Sequence, residues 1–142
     1  MLKKSWLCAA LASIGLLGCA ATQMPGLQTV GCNPGDVCKV AVTVVDCHIT
    51  VDPVDLSVPL PRVRQQIHWD IAGSNYVFAY NGIVISDMGV EFDQPELSGD
   101  GKKFKWRDKH TRPGDYKYSL NVVRTGLNPA NCPTYDPRIL NQ

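Results

Sequence analysis

Apolar and polar residues alternate with a period of two along most of the chain from Val37 onward, and this pattern constrains the fold more than any other feature. Val40, Val42 and Val44, for example, share one face of a first predicted strand, with Lys39 on the other. Nothing in this region sustains the 3.6-residue period of an amphipathic helix. Turn residues recur roughly every eight to twelve positions, so the sequence predicts about eight short strands in an all-β fold.

Local signals predict where strands break, turn or lie at an edge. The alternation changes phase at Val45-Asp46, which predicts a bulge or break there. Asn81-Gly82 stands between two apolar runs, which predicts a β-hairpin. Segment 54–60 is flanked and interrupted by prolines, so we expect it at a sheet edge. Segment 125–142 is rich in Pro and Asn and is expected to form an irregular tail.

These strands are expected to form an antiparallel β-sandwich of immunoglobulin-like or cupredoxin-like shape. Pro113-Gly114-Asp115, followed by the alternating Tyr116 and Tyr118, resembles the penultimate strand of many bacterial immunoglobulin-like sandwiches. That resemblance covers a short run and implies a fold only, since unrelated functions share such folds. Both Trp69 and Trp106 alternate with polar residues on the apolar side of their strands, so we expect them in the core rather than on a sugar-binding face.

The first residues predict export. Lys3 and Lys4 precede an apolar run, Trp6 to Leu17, that is too short to span a bilayer as a helix. It ends in Leu16-Leu17-Gly18-Cys19, which resembles the lipobox of bacterial lipoproteins.

That resemblance implies that Cys19 is acylated and becomes the new N-terminus. Residues 1–18 are then a lipoprotein signal peptide, 19–31 a lipidated tether and 32–142 the β-sandwich domain. Ala20 stands where lipoproteins retained in the inner membrane often have Asp, which implies an outer-membrane anchor facing the periplasm. The alternative is cleavage by an ordinary signal peptidase near Ala21, which would free a soluble protein.

Four cysteines remain once Cys8 leaves with the signal and Cys19 carries lipid. An even number in an oxidising compartment predicts two disulfides. We prefer Cys32–Cys38 and Cys47–Cys132, because Asn33-Pro34-Gly35-Asp36 is itself a turn that returns the chain towards Cys38. The other two connectivities stay open at this point.

The charge pattern excludes one class of partner and suggests another. Removing the signal takes two of the 14 basic residues and none of the 13 acidic ones, so the mature chain is nearly neutral and nucleic acid is not expected as a partner. Four cations recur on one predicted strand face: Lys103, Lys105, Arg107 and Lys109. This cationic stripe has two interpretations, a contact for an anionic lipid or acidic partner and protection of an edge strand from pairing with other chains.

No residue pattern predicts catalysis or a cofactor. A type 1 copper site needs a Cys thiolate with nearby His ligands, but no His or Met follows Cys132, and His48 and His68 are expected to face solvent. We therefore expect no metal. The acidic cluster Glu91, Asp93 and Glu96 could be taken for the paired carboxylates of a glycosidase, but its spacing favours solvated charges on an outward face.

The sequence thus predicts an envelope lipoprotein that is not an enzyme and acts as a binding or structural module. Its expected partners are the membrane, through Cys19, and an envelope protein or cell-surface component. A small-ligand or copper carrier of cupredoxin-like shape is the alternative.

Overall fold

The computed structural model describes residues 32–73 and 75–142. The predicted signal peptide, the Leu16-Leu17-Gly18-Cys19 box and the tether 19–31 lie outside the described residues. Within the described part the chain forms strands and no helix, which confirms the all-β prediction.

Ten strands are present among the described residues, where about eight were predicted. In chain order they are β1 (Cys38–Val45), β2 (His48–Asp52), β3 (Asp55–Val58), β4 (Gln65–Ile71), β5 (Tyr76–Ile85), β6 (Phe92–Leu97), β7 (Lys103–Asp108), β8 (Gly114–Arg124), β9 (Ala130–Asn131) and β10 (Arg138–Asn141).

The strands form two five-stranded sheets of a β-sandwich, as predicted. The first sheet has the order β2-β1-β4-β7-β6, and the second has β3-β10-β8-β5 with β9 also paired to β8. The prediction that all strands pair antiparallel is wrong, because β1 pairs parallel with β4, and β3 with β10. After the β1–β2 hairpin the chain crosses to the second sheet as β3 and returns as β4, and parallel neighbours require such a crossover.

The predicted alternation locates the core correctly. Val40, Val42 and Val44 are buried between the sheets. Trp69 is fully buried, and its ring meets the Tyr118 ring edge-on with centroids 5.3 Å apart, while Trp106 is also buried. The prediction that both tryptophans belong to the core is confirmed.

The predicted break at Val45-Asp46 is a hairpin turn rather than a bulge. Asp46 and Cys47 both have positive φ, at 49° and 62°, and Val45 pairs with His48 across them. Two consecutive positive φ angles are the geometry of a type I′ hairpin. The turn restores the phase of the alternation, so that Ile49 is buried beside β1.

The predicted hairpin at Asn81-Gly82 is wrong, because the chain continues through it as β5. The pairing of β5 with β8 shifts register between Phe78 and Ile83, which makes the segment a bulge within one long strand. A Cβ atom built on Gly82 would lie 2.6 Å from Cβ of Phe78. Glycine is needed here for close packing of the bulge rather than for a two-residue turn.

A Gly82→Ala substitution is therefore expected to lower the free energy of unfolding by roughly 1 to 3 kcal/mol, as overpacking does elsewhere. Urea unfolding followed by tryptophan fluorescence measures the change. Gly99→Ala is the matched control, since a Cβ there meets nothing within 4 Å. Equal stability of the two variants would contradict the bulge packing.

The C-terminal segment is part of the second sheet, so the prediction of an irregular tail is wrong for its ordered strands. β9 and β10 both pair with β8, and Ile139 is fully buried. Segment 54–60 does provide an edge strand, β3, as predicted. The preferred disulfides are confirmed: Cys32 is bonded to Cys38, and Cys47 to Cys132, so that the β1–β2 turn of one sheet is joined to the end of β9 in the other.

Candidate functional site

The cationic stripe (Lys103, Lys105, Arg107 and Lys109) lies mainly along β7, on the outer face of the first sheet. The inward residues of the same strand, Phe104 and Trp106, are buried. β7 pairs with β4 on one side and β6 on the other. The edge-protection interpretation is therefore wrong, because β7 is not an edge strand.

Acidic residues of both neighbouring strands pair with the stripe. Lys103 Nζ lies 3.4 Å from Asp70 on β4, while Lys105 Nζ lies 2.8 Å from Glu96 on β6. Asp93 accepts two hydrogen bonds from the Arg107 guanidinium, at 2.5 and 2.6 Å. Lys109 Nζ lies 3.4 Å from the same carboxylate.

These pairs largely cancel the positive field of the stripe. The two hydrogen bonds from Arg107 hold the pKa of Asp93 below its usual range, and the same bonds raise the pKa of Arg107. Asp93 therefore stays ionised, and keeps its cations paired, to a lower pH than an ordinary aspartate would. An anionic partner would have to displace these carboxylates, which weakens the prediction that the stripe recruits one.

The acidic cluster does not form one outward face as predicted. Glu91 is fully buried, whereas the Glu96 side chain is 63% exposed. The Glu91 carboxylate accepts hydrogen bonds from the backbone N–H and, at 2.6 Å, the hydroxyl of Thr111. Glu91 thus fixes the loop that leads from β7 to β8. Asp93 and Glu96 instead form ion pairs with the cationic stripe.

The candidate metal ligands are held apart. His48 pairs with Val45 at one end of β1 and His68 with Lys39 near the other, so most of the length of that strand separates the two histidines. Cys132 has no thiolate to offer because it is bonded to Cys47. Partial burial lowers the pKa of His68. Among the described residues, no group of three His, Cys, Asp or Glu side chains is placed to hold a metal ion.

A polar cluster that the sequence analysis did not identify lies between the sheets at one end of the sandwich. Asp108 and His110 are fully buried and Asn141 nearly so. Asp108 Oδ1 accepts hydrogen bonds from the His110 backbone at 2.8 Å and from Asn141 Nδ2 at 3.2 Å. Burial raises the pKa of the Asp108 carboxyl. Strict alternation along β7 already places Asp108 inward, so the burial of this residue could have been predicted from the sequence.

An apolar groove of about 350 Å³ opens where the edge of β5 faces that of β6. Its walls include the side chains of Ile83, Ile85, Met88, Leu97, Phe104 and Trp106. None of the groove's lining residues is charged. The sequence analysis did not predict this groove, because the groove forms only where the edges of two sheets meet.

Comparison with protein-family models and with curated proteins finds no match to this chain. Across residues 32–73 and 75–142 there is also no helix of the length and hydrophobicity needed to cross a bilayer. Functional assignment therefore depends on the residues themselves.

Proposed function

We propose that this chain is a lipid-anchored protein of the bacterial cell envelope whose β-sandwich binds a partner rather than catalysing a reaction. The observation that carries the proposal is Leu16-Leu17-Gly18-Cys19 at the end of a short apolar run behind two lysines. Two disulfides in the described domain support an oxidising compartment such as the periplasm. Ala20 favours the outer membrane.

The length of the tether limits how far from the membrane a partner can be bound. Residues 19–31, fully extended, reach roughly 40 Å, so the domain would work in a thin layer next to the membrane. Envelope proteins and cell-surface components are the expected partners in that layer.

Features of the domain favour binding over catalysis. The cations of the stripe are engaged in ion pairs with carboxylates of the neighbouring strands. The buried ionisable groups Glu91 and Asp108 are engaged by backbone and side-chain hydrogen bonds that hold loops together. The apolar groove beside β5 offers area for a partner but no charged group.

Replacing the proposed lipidation residue tests the anchor. The Cys19→Ser chain is expected to accumulate as an unlipidated precursor that takes up no labelled palmitate, because serine offers no thiol for acylation. Membrane fractionation, label incorporation and intact mass measure the outcome. Cys8→Ser is the matched control: it changes a cysteine of the apolar run and should leave acylation and processing normal.

One result would contradict the anchor directly. If Cys19→Ser were processed and released at the same rate as the unchanged chain, cleavage would occur after Cys19, near Ala21. The protein would then be soluble in the periplasm and not lipid-anchored.

A further inference from the structure

The buried polar cluster of Asp108, His110 and Asn141 has more acceptors than donors. Asp108 Oδ2, His110 Nδ1 and Asn141 Oδ1 are each enclosed without a hydrogen-bond partner among the described residues. His110 Nε2 lies 3.1 Å from the main-chain oxygen of Gln142, which can only accept, so Nε2 carries the hydrogen of a neutral ring and Nδ1 has a lone pair. Unpaired buried acceptors destabilise a fold, so this cluster lacks a hydrogen.

No positive charge lies beside the Asp108 carboxylate to balance it in the part of the chain that the structure describes. Its cross-strand neighbours are Gln65 in β4 and Phe92 in β6, and the neutral amide of Asn141 faces it from β10. None of the ion pairs between described residues includes Asp108. Burying an ionised carboxylate without such a partner is costly.

Two ionisable side chains act on Asp108, His110 and Glu91. Glu91 is acidic, and its own cation is Arg112, which lies 3.9 Å from it. A neutral His110 presents an acceptor at Nδ1 rather than a donor. Arg62 Nε lies 3.5 Å from the same main-chain oxygen that His110 contacts, so this cation is engaged outside the cluster.

A proton on the Asp108 carboxyl supplies what the cluster lacks. It removes the buried charge and gives the cluster an O–H donor for its unpaired acceptors. Asp108 Oδ1 can still accept its two hydrogen bonds, from the His110 backbone and from Asn141. Burial raises the pKa of Asp108, and the negative charge of Glu91 acts in the same direction.

We propose that the polar cluster is a proton-binding site, in which Asp108 and His110 share one proton taken up from water, and that this proton closes one end of the sandwich. Held on Asp108, the proton leaves both side chains neutral. Held on His110 Nδ1, it makes an imidazolium beside the carboxylate. The two forms contain the same number of protons, so the pair binds and releases the proton as a unit.

The cluster joins the two sheets at this end. Asp108 is the last residue of β7 in the first sheet, and Asn141 is the last residue of β10 in the second. Gln142 follows: its N–H donates to the Val58 carbonyl at 3.1 Å, and its side-chain amide donates to Ser57 Oγ at 2.9 Å. Loss of the proton leaves a carboxylate buried between the sheets, so β10 and the loop after β7 open more easily there.

The proton is expected to stabilise the fold in acid. The folded pair binds it more tightly than an aspartate of the unfolded chain, whose pKa is about 4. The stabilising contribution is therefore complete below about pH 4 and is lost as the pH rises through the pKa of the folded pair. Other carboxylates titrate in the same range, so the test has to isolate Asp108.

Urea unfolding of the full chain and of its Asp108→Asn variant, from about pH 4 to about pH 8, isolates this group. The variant keeps an oxygen acceptor, gains N–H donors and buries no charge, so it should resist urea at least as well as the parent at about pH 8. As the pH falls, the urea midpoint of the parent should rise relative to that of the variant. Asp93→Asn is the control of opposite sign: the pKa of Asp93 is lowered, so here the parent should gain relative to the variant as the pH rises.

Two measurements on the unchanged chain report the proton and the closure separately. In carbon NMR, the Asp108 carboxyl carbon should titrate at a higher pH than that of an ordinary aspartate. Amide exchange, corrected for its intrinsic pH dependence, should slow in acid for the Gln142 N–H but not for the Cys132 N–H, which bonds to the Val122 carbonyl away from the cluster.

Either of two results overturns the proposal. One is a midpoint difference between the parent and Asp108→Asn that does not change with pH, which would mean that an internal water supplies the missing donors. The other is an Asp108 carboxyl carbon that titrates in the ordinary range for aspartate. Neither result depends on the lipid anchor, so the Cys19→Ser experiment and this one fail separately.

Discussion

Removing the Cys47–Cys132 disulfide is expected to lower the free energy of unfolding by about 4 to 5 kcal/mol. The two cysteines are 85 residues apart in sequence, with Cα atoms 4.9 Å apart in the fold. In the chain-entropy model, a cross-link that closes so long a loop removes much of the freedom of the unfolded chain. The bond also joins the β1–β2 turn of one sheet to the end of β9 in the other, and so ties the two sheets together covalently.

The test is urea unfolding of the Cys47→Ala/Cys132→Ala double variant, since replacing both residues leaves no free thiol. The Cys32→Ala/Cys38→Ala variant is the matched control, because its two cysteines are only 6 residues apart. Removing a cross-link that closes so short a loop should lower the free energy of unfolding by only about 2 kcal/mol. Both bonds pack against the core, so loop length is the main difference between them. Equal decreases in the free energy of unfolding for the two double variants would show that local packing, and not loop entropy, determines how much each disulfide stabilises the fold.

Replacing Glu91 by Ala is expected to lower the free energy of unfolding by about 3 kcal/mol. Its carboxylate accepts hydrogen bonds from the backbone N–H and hydroxyl of Thr111. A hydrogen bond to a charged group is worth about 1.5 to 3 kcal/mol. Glu91 is fully buried, so water does not replace these bonds in the folded variant without a rearrangement of the loop. Glu91→Gln keeps the shape of the side chain and should lower the free energy of unfolding by about half as much.

Glu96→Ala is the control for Glu91, because both glutamates come from the same acidic cluster and both lie near a cation: Glu91 is 3.9 Å from Arg112 and Glu96 is 2.8 Å from Lys105. The Glu96 side chain is mostly exposed and pairs with Lys105 at the surface. Loss of such a surface pair should cost under about 1 kcal/mol. Thermal and urea unfolding at neutral pH distinguish the two variants. A cost for Glu96→Ala as large as that for Glu91→Ala would show that the cluster is stabilised as a network of surface charges.

The lipobox and tether would hold the domain near the membrane, and the groove beside β5 would provide its contact surface.

How far the sequence predicts the fold is clear from β1 and β7. Val40, Val42 and Trp106 were correctly assigned to the core, because the side-chain direction of a strand alternates residue by residue. The same rule places Asp108 inward, although charged residues are seldom fully buried. Glu91 was misassigned because it precedes β6 and lies in a turn where alternation does not apply.

Turns were predicted less reliably than strands. Asn81-Gly82 favours a two-residue hairpin in isolation, yet here the flanking residues of β5 both pair with β8, and this pairing overrides the local preference. The strands of segment 125–142 were missed because no local signal predicts them. The short strand β10 forms only because β3 and β8 lie on either side of it, and the composition of the segment does not indicate those neighbours.

The sequence by itself determined the strand faces, the core tryptophans, the number of disulfides and a predicted lipobox, because each depends on local periodicity, a cysteine count or a short motif. Only the tertiary structure decided which strands are neighbours. That arrangement places β7 inside a sheet, gives every cation of the stripe a carboxylate partner, and brings the edges of β5 and β6 together around a groove. These outcomes depend on how the chain crosses between the sheets, and contacts between distant segments are not encoded in the period of any one strand.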